Sequence, residues 1–121
     1  MRSLLLVLAL LVLAPDARGE TVLLMLDEKG CQWCKRWDAE VGVVYSATRE
    51  GRQAPLLRQD IRQPLPQGVA LARAAHYTPT FVLLNDGIEI GRIEGYPGED
   101  FFYGLLGKIL QKAAVQPKDG A

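Results

Sequence analysis

The two cysteines of the chain, Cys31 and Cys34, stand three residues apart, and the sequence changes period across them. Before them, the run TVLLMLD (21–27) is short and apolar, with a β-branched start, and it ends in Glu28-Lys29-Gly30. That pattern predicts a buried strand. After them, Cys34, Trp37, Val41, Tyr45 and Thr48 recur every three or four residues. This spacing predicts a helix from Gln32 to about Arg49, with Gly51 as its stop. A strand feeding a helix that carries a cysteine in its first turn points to an α/β arrangement.

The rest of the chain fits that frame. APLLRQDI (54–61) reads as a second strand, and the two prolines of RQPLPQG forbid regular structure after it. VALARAAHY (69–77) is alanine-rich and is expected to form a short helix. Thr78-Pro79-Thr80 then opens the strand TFVLL, Asn85-Asp86-Gly87 signals a hairpin, and IEIGRIE (88–94) returns from it. After the loop GYPGED, a last helix is expected over about 100–114, with Phe101, Leu105 and Ile109 along one side and Phe102, Leu106 and Leu110 beside them. The order β-α-β-α-β-β-α implies a mixed sheet with helices on both faces.

The first twenty residues follow a different logic. Arg2 precedes an apolar run from Leu4 to Ala14, and Pro15 and the small-residue stretch Ala17-Arg18-Gly19 follow. That is the order of a secretory signal peptide over residues 1–19, with cleavage before Glu20. The run is short for a spanning helix, which needs about 20 residues, so an uncleaved membrane anchor is the lesser alternative. The domain is then 20–115, with 116–121 a frayed tail. The whole chain has 14 basic and 14 acidic side chains, and losing Arg2, Arg18 and Asp16 leaves 12 and 13. No basic stripe marks a nucleic-acid partner.

Four readings of the cysteine pair compete. A structural zinc site wants four ligands, and the chain offers two cysteines and one histidine, His76. Haem attachment needs histidine directly after the second cysteine, where Lys35 stands. A static bridge closing so small a loop contributes about 2 kcal/mol and joins neighbours rather than distant parts of the fold. A redox couple explains more. The positive end of a helix, with its unpaired N–H groups, stabilises a thiolate. Cys31 at the helix start is then the attacking thiolate, with Lys35 adding charge. Cys34, on the apolar face, is the buried thiol that resolves a mixed disulfide. Trp33 between them is expected to be exposed and to touch substrate. His76, Trp37, Tyr45 and the pair Glu99-Asp100 are read as structural: packing, core and helix-dipole complement.

The motifs Cys31-Gln32-Trp33-Cys34 after the first strand and Thr78-Pro79-Thr80-Phe81 opening the third resemble the thioredoxin-like superfamily across the domain. GCQWCKRWDAEVG, TPTFVLL and GRIEGYPGEDFF resemble, more narrowly, the periplasmic SoxS-type thioredoxins of sulfur-oxidising bacteria. The resemblance implies a minimal thioredoxin-like fold in which Pro79 is cis and faces the cysteines. It implies that the backbone of Thr78 pairs with the substrate chain. It also implies that Trp33, Thr78, Pro79, Gly95 and Tyr96 ring the dithiol as a docking surface.

The implied activity is thiol–disulfide exchange in the periplasm without a cofactor or metal. The implied substrate is a disulfide-containing protein such as the Sox sulfur-carrier protein. The implied electron donor is a membrane thiol–disulfide transporter. A reductase for cytochrome c maturation or general disulfide repair, and a non-enzymatic binding module, remain as alternatives. Three departures from thioredoxin stand out: the first β-α unit is missing, Gln32-Trp33 replaces Gly-Pro between the cysteines, and Met25 occupies the place of the buried aspartate, with Asp27 and Glu28 nearby and expected to face solvent.

Overall fold

The computed structural model describes residues 20–115, and the leader assigned to 1–19 and the tail assigned to 116–121 lie outside them. Strand β1 (Thr21–Asp27) is central and pairs on one side in parallel with β2 (Leu56–Asp60). On the other side it pairs antiparallel with β3 (Thr80–Asn85), which carries β4 (Ile88–Glu94) antiparallel at the far edge. The sheet is therefore mixed, in the order β2-β1-β3-β4.

The inner residues of β1 and β3, 22–26 and 81–84, are all apolar because both faces are covered. Leu23, Met25, Phe81 and Leu83 point into one core, and Leu24, Leu26, Val82 and Leu84 into another. A one-residue slip of either strand would exchange the two sets. The β3–β4 turn is the expected hairpin. Asp86 and Gly87 both have positive φ, 53° and 79°, as a tight right-twisted hairpin requires.

The first core is aromatic. Trp37 lies 5.2 Å from Phe81 and 5.8 Å from Phe102, and Phe81 lies 4.9 Å from Phe102, ring centre to ring centre. Such tilted pairs add to the burial energy of the rings. Phe102 and Leu106 come from the last helix, α3 (Glu99–Val115). Of the two expected stripes on that helix, the Phe102/Leu106 side meets the sheet, while Phe101 is 70% exposed.

The helix expected from Gln32 to Arg49 forms in pieces. Helix α1 covers Gln32–Trp37, a wider π turn covers Asp38–Gly42, and a 3₁₀ turn covers Tyr45–Ala47. The apolar spacing explains the break. Trp37, Val41 and Tyr45 are each four apart, which in a regular α-helix rotates each about 40° past the last. The wider turn brings all three back to the same face, where they are buried.

A new helix, α2 (Arg49–Gln53), then starts at Thr48, whose hydroxyl donates to the Tyr45 carbonyl and accepts the Gly51 N–H at 2.9 Å. Gly51 is thus not a stop but a buried member of α2, pressed so close to the Tyr45 carbonyl that a Cβ would sit 1.8 Å from its oxygen. The Thr48→Ala variant is expected to lose about 1 kcal/mol through the missing cap, read as a lower urea midpoint with an unchanged slope.

The alanine-rich segment 69–77 is not a helix, and the second face of the sheet is covered by irregular chain instead. Val69, Leu71 and Ala75 supply its apolar cover. Side chains of β4 take up the backbone groups that a helix would have paired internally. Glu89 accepts the Ala72 N–H at 3.0 Å, and Arg92 donates to the carbonyls of Arg73 at 2.7 Å and Ala74 at 3.4 Å. Arg92 and Glu89 also bond each other at 2.7 Å, with only 4% and 6% of their side chains exposed. All the described helices therefore pack on one face, not on both.

Candidate active site

Strand β1 delivers the chain to the cysteines through Glu28-Lys29-Gly30, and the Cys31 N–H donates back to the Glu28 carbonyl at 3.2 Å. Cys31 sits just ahead of α1, in extended conformation, and Cys34 lies one turn in. Their sulfurs are bonded, with the Cα atoms 5.2 Å apart. The two are not equivalent. Cys31 is partly exposed, whereas Cys34 is buried against Trp37 and the sheet. The backbone N–H of Cys34 points at the Cys31 sulfur, 3.1 Å away. This N–H is one of the helix-start donors with no partner within the helix, and it is aimed where negative charge on Cys31 would form.

Trp33, between the two cysteines in the sequence, is 53% exposed. The Arg36 guanidinium lies 5.5 Å over its ring and pairs with Glu40 one turn on. The Thr78–Pro79 peptide is cis, Pro79 is buried and Thr78 partly so. The Thr78 hydroxyl donates to the Glu28 carboxylate at 3.0 Å, and the Pro79 carbonyl accepts the Gly95 N–H at 2.7 Å. Hydrogen bonds thus connect the cysteine loop, the proline loop and the Gly95 loop.

Five of the residues expected at the site, Cys31, Cys34, Thr78, Pro79 and Gly95, are brought together by these bonds and the disulfide. Trp33 stands exposed beside them. Tyr96 is placed differently. Only 6% of it is exposed, its ring lies 6.3 Å from that of Phe102, and it belongs to the aromatic core. Burial first, and then the nearby Glu40 carboxylate, push its hydroxyl up to about 12. It supports the Gly95 loop from beneath rather than lining the surface. His76 is exposed.

Two residues outside the expected site stand out: Glu28, expected from the sequence to face solvent, and Tyr77. Glu28 turns inward to Thr78, fifty positions away, and no local signal in the sequence marks that contact. Tyr77 is 65% exposed directly before Thr78, and its place next to the proline motif is a usable signal.

Neither Met25 nor Asp27 offers a free carboxylate where thioredoxin has its buried aspartate. Met25 is fully buried, and the Asp27 carboxylate is engaged by Arg58 at 2.6 Å, which reaches on to Asp38 at 2.7 Å. Among the described residues no cluster of His, Cys, Asp or Glu is arranged to hold a metal ion, and no helix is long and apolar enough to cross a membrane.

A partly open sulfur bonded to a buried one across a single helical turn suits two-electron exchange with a second cysteine pair, one pair being the dithiol and the other the disulfide. The chain is a thiol–disulfide oxidoreductase. Its structure is similar to the crystal structure of the reduced periplasmic thioredoxin SoxS from Paracoccus pantotrophus. Identity is 51%, the match covers 78% of this chain and 99% of that one, and the TM-score is 0.76. The chain belongs to the thioredoxin-like superfamily, with the SoxS-type thioredoxins. A thioredoxin-2 described as a component of malaria parasite protein secretion machinery shares the fold at 21% identity. That match has a TM-score of 0.56 and covers 74% of this chain and 84% of the other. No family model and no curated protein matches the sequence.

Proposed function

We propose that the protein is an exported reductase of protein disulfides, and that the Sox sulfur-carrier protein is one of its partners. The observation that carries the direction of attack is the asymmetry of the pair: Cys31 is open and receives the Cys34 N–H at 3.1 Å, while Cys34 is buried. In the reduced protein the Cys31 thiolate attacks a substrate S–S bond. One substrate sulfur leaves as a thiolate, and Cys31 is held in a mixed disulfide. Cys34 then gives up its proton and attacks the Cys31 sulfur, expelling the second substrate thiolate. Both released thiolates take protons from solvent.

Two electrons have moved from the protein to the substrate, and Cys31–Cys34 is left as the disulfide. A dithiol donor must reduce it again, and a membrane thiol–disulfide transporter fits that need. With Met25 in the aspartate's place and Asp27 held by Arg58, the Cys34 proton leaves to water. Trp33, Thr78, Pro79 and Gly95 form the shallow surface on which the substrate chain lies.

Two observations support the periplasm and the Sox partner: the 51% identity with a periplasmic thioredoxin SoxS, and the leader-like pattern of residues 1–19. The test is to mix the reduced protein with the disulfide form of the sulfur carrier and count thiols on both. The carrier should gain two as Cys31 and Cys34 lose theirs. If insulin is reduced while the carrier stays oxidised, the chemistry stands and the Sox partner is wrong. N-terminal sequencing of the protein from a periplasmic fraction should begin at Glu20.

A further inference from the structure

The proline loop has no helix behind it. It ends the irregular segment that runs from β2 to β3, so its position depends on discrete bonds. On its far side the Pro79 carbonyl takes the Gly95 N–H, a backbone pair that no side-chain change removes. On its near side, among the described residues, one side-chain hydrogen bond joins it to the loop carrying Cys31: Thr78 Oγ1 to Glu28 Oε1 at 3.0 Å. The same Glu28 holds the Cys31 N–H through its own carbonyl. One residue therefore holds both the cysteine loop and the proline loop, the two sides of the shallow surface on which a substrate would lie. Both Glu28 and Thr78 are partly buried, and a hydrogen bond to a charged acceptor is stronger than a neutral one.

We propose that Glu28 is a positioning residue for protein substrates: its carboxylate straps Thr78 at the spacing an extended substrate chain needs. The inference rests on the reading that Thr78 presents its backbone to a bound polypeptide. A small disulfide touches only the sulfur of Cys31 and needs no strap. Loss of the strap should therefore appear in the affinity for protein disulfides and not in the attack itself.

The experiment compares wild type, Glu28→Ala, Glu28→Gln and Thr78→Val on two substrates, insulin and bis(2-hydroxyethyl) disulfide, with folding checked by circular dichroism. Glu28→Ala should raise KM for insulin about tenfold, the equivalent of about 1.4 kcal/mol, with kcat and the small-disulfide rate near wild type. Glu28→Gln, which still accepts the Thr78 hydroxyl, should restore KM. Thr78→Val should match Glu28→Ala on insulin, and the double variant should be no worse than either single one.

Equal behaviour of all variants on insulin would overturn the proposal. So would a shift in the small-disulfide rate and its pH profile shared by Ala and Gln, which would mean that Glu28 acts by its charge on Cys31. Wild type that reduces the small disulfide but leaves insulin untouched would overturn the protein-substrate reading itself, and this role with it.

Discussion

Serine in place of Cys34 is expected to leave the protein covalently joined to its substrates, and serine in place of Cys31 to silence it. The first variant keeps the open sulfur and the helix-start N–H that faces it, so attack proceeds. It lacks the buried thiol that would release Cys31, so the mixed disulfide accumulates. On a non-reducing gel from the native host it should run as a set of adducts that a reductant collapses to the monomer. The Cys31→Ser variant keeps only a buried thiol, 4% exposed, and its reductase rate should fall to the uncatalysed background. Adducts formed by the Cys31→Ser variant and not by the Cys34→Ser variant would reverse the assignment of attacking and resolving sulfur. Capture of the sulfur carrier would support the Sox pathway, whereas capture of cytochromes or unrelated exported proteins would keep the chemistry and move the pathway.

The Arg92→Met variant is expected to be strongly destabilising, although it lies away from the cysteines. Removing one partner of a buried ion pair costs about 3–5 kcal/mol, because the other charge stays buried without compensation. Here the orphan is Glu89, and the carbonyls of Arg73 and Ala74 lose their donor as well. For a domain of this size the melting temperature should fall by at least ~12 °C.

The loss has a pH signature. The hydrogen bond from Arg92 is the main cause holding the Glu89 carboxyl below its ordinary value of 4.5. A depressed acid contributes stability that is present above its unfolded pKa and is lost as pH falls through its folded pKa. Wild type should therefore lose more stability in acid than the variant, whose Glu89 is no longer held charged by Arg92. The gap between their urea midpoints should close as pH drops below about 4. A gap that stays constant from pH 7 to pH 3 would show that the pair does not hold this part of the fold.

The same pair explains what the sequence could not show. The strands of 21–27, 80–85 and 88–94, the Asp86-Gly87 hairpin and the final helix were all legible, because each is specified by its own residues. The alanine-rich stretch 69–77 was not, because its local preference for helix is overridden by Glu89 and Arg92, side chains about twenty positions later. The helix after Cys34 was legible as an apolar face but not as a broken one. Its strict four-residue spacing held the clue, and the need to keep Trp37, Val41 and Tyr45 together decided it.

At the site, Cys31, Cys34 and the Thr78-Pro79 motif could be read from order alone. Tyr96 could not, since a position next to Gly95 does not reveal that the ring turns inward toward Phe102. Glu28 was visible only as a charged residue in a turn, and its meaning lies in a partner half a chain away.

The path of β1 also sets how the molecule can be held. Glu20 is tied to the hairpin turn at the other pole, its N–H donating to the Asp86 carboxylate at 3.1 Å and its carbonyl accepting the Asp86 N–H at 2.9 Å. From there the seven residues of β1 run straight to the cysteine loop, a span of ~23 Å at the usual rise of a strand. A bead, chip or fusion partner attached ahead of Glu20 would therefore hold the molecule by its inert pole, with the reactive sulfurs presented outward.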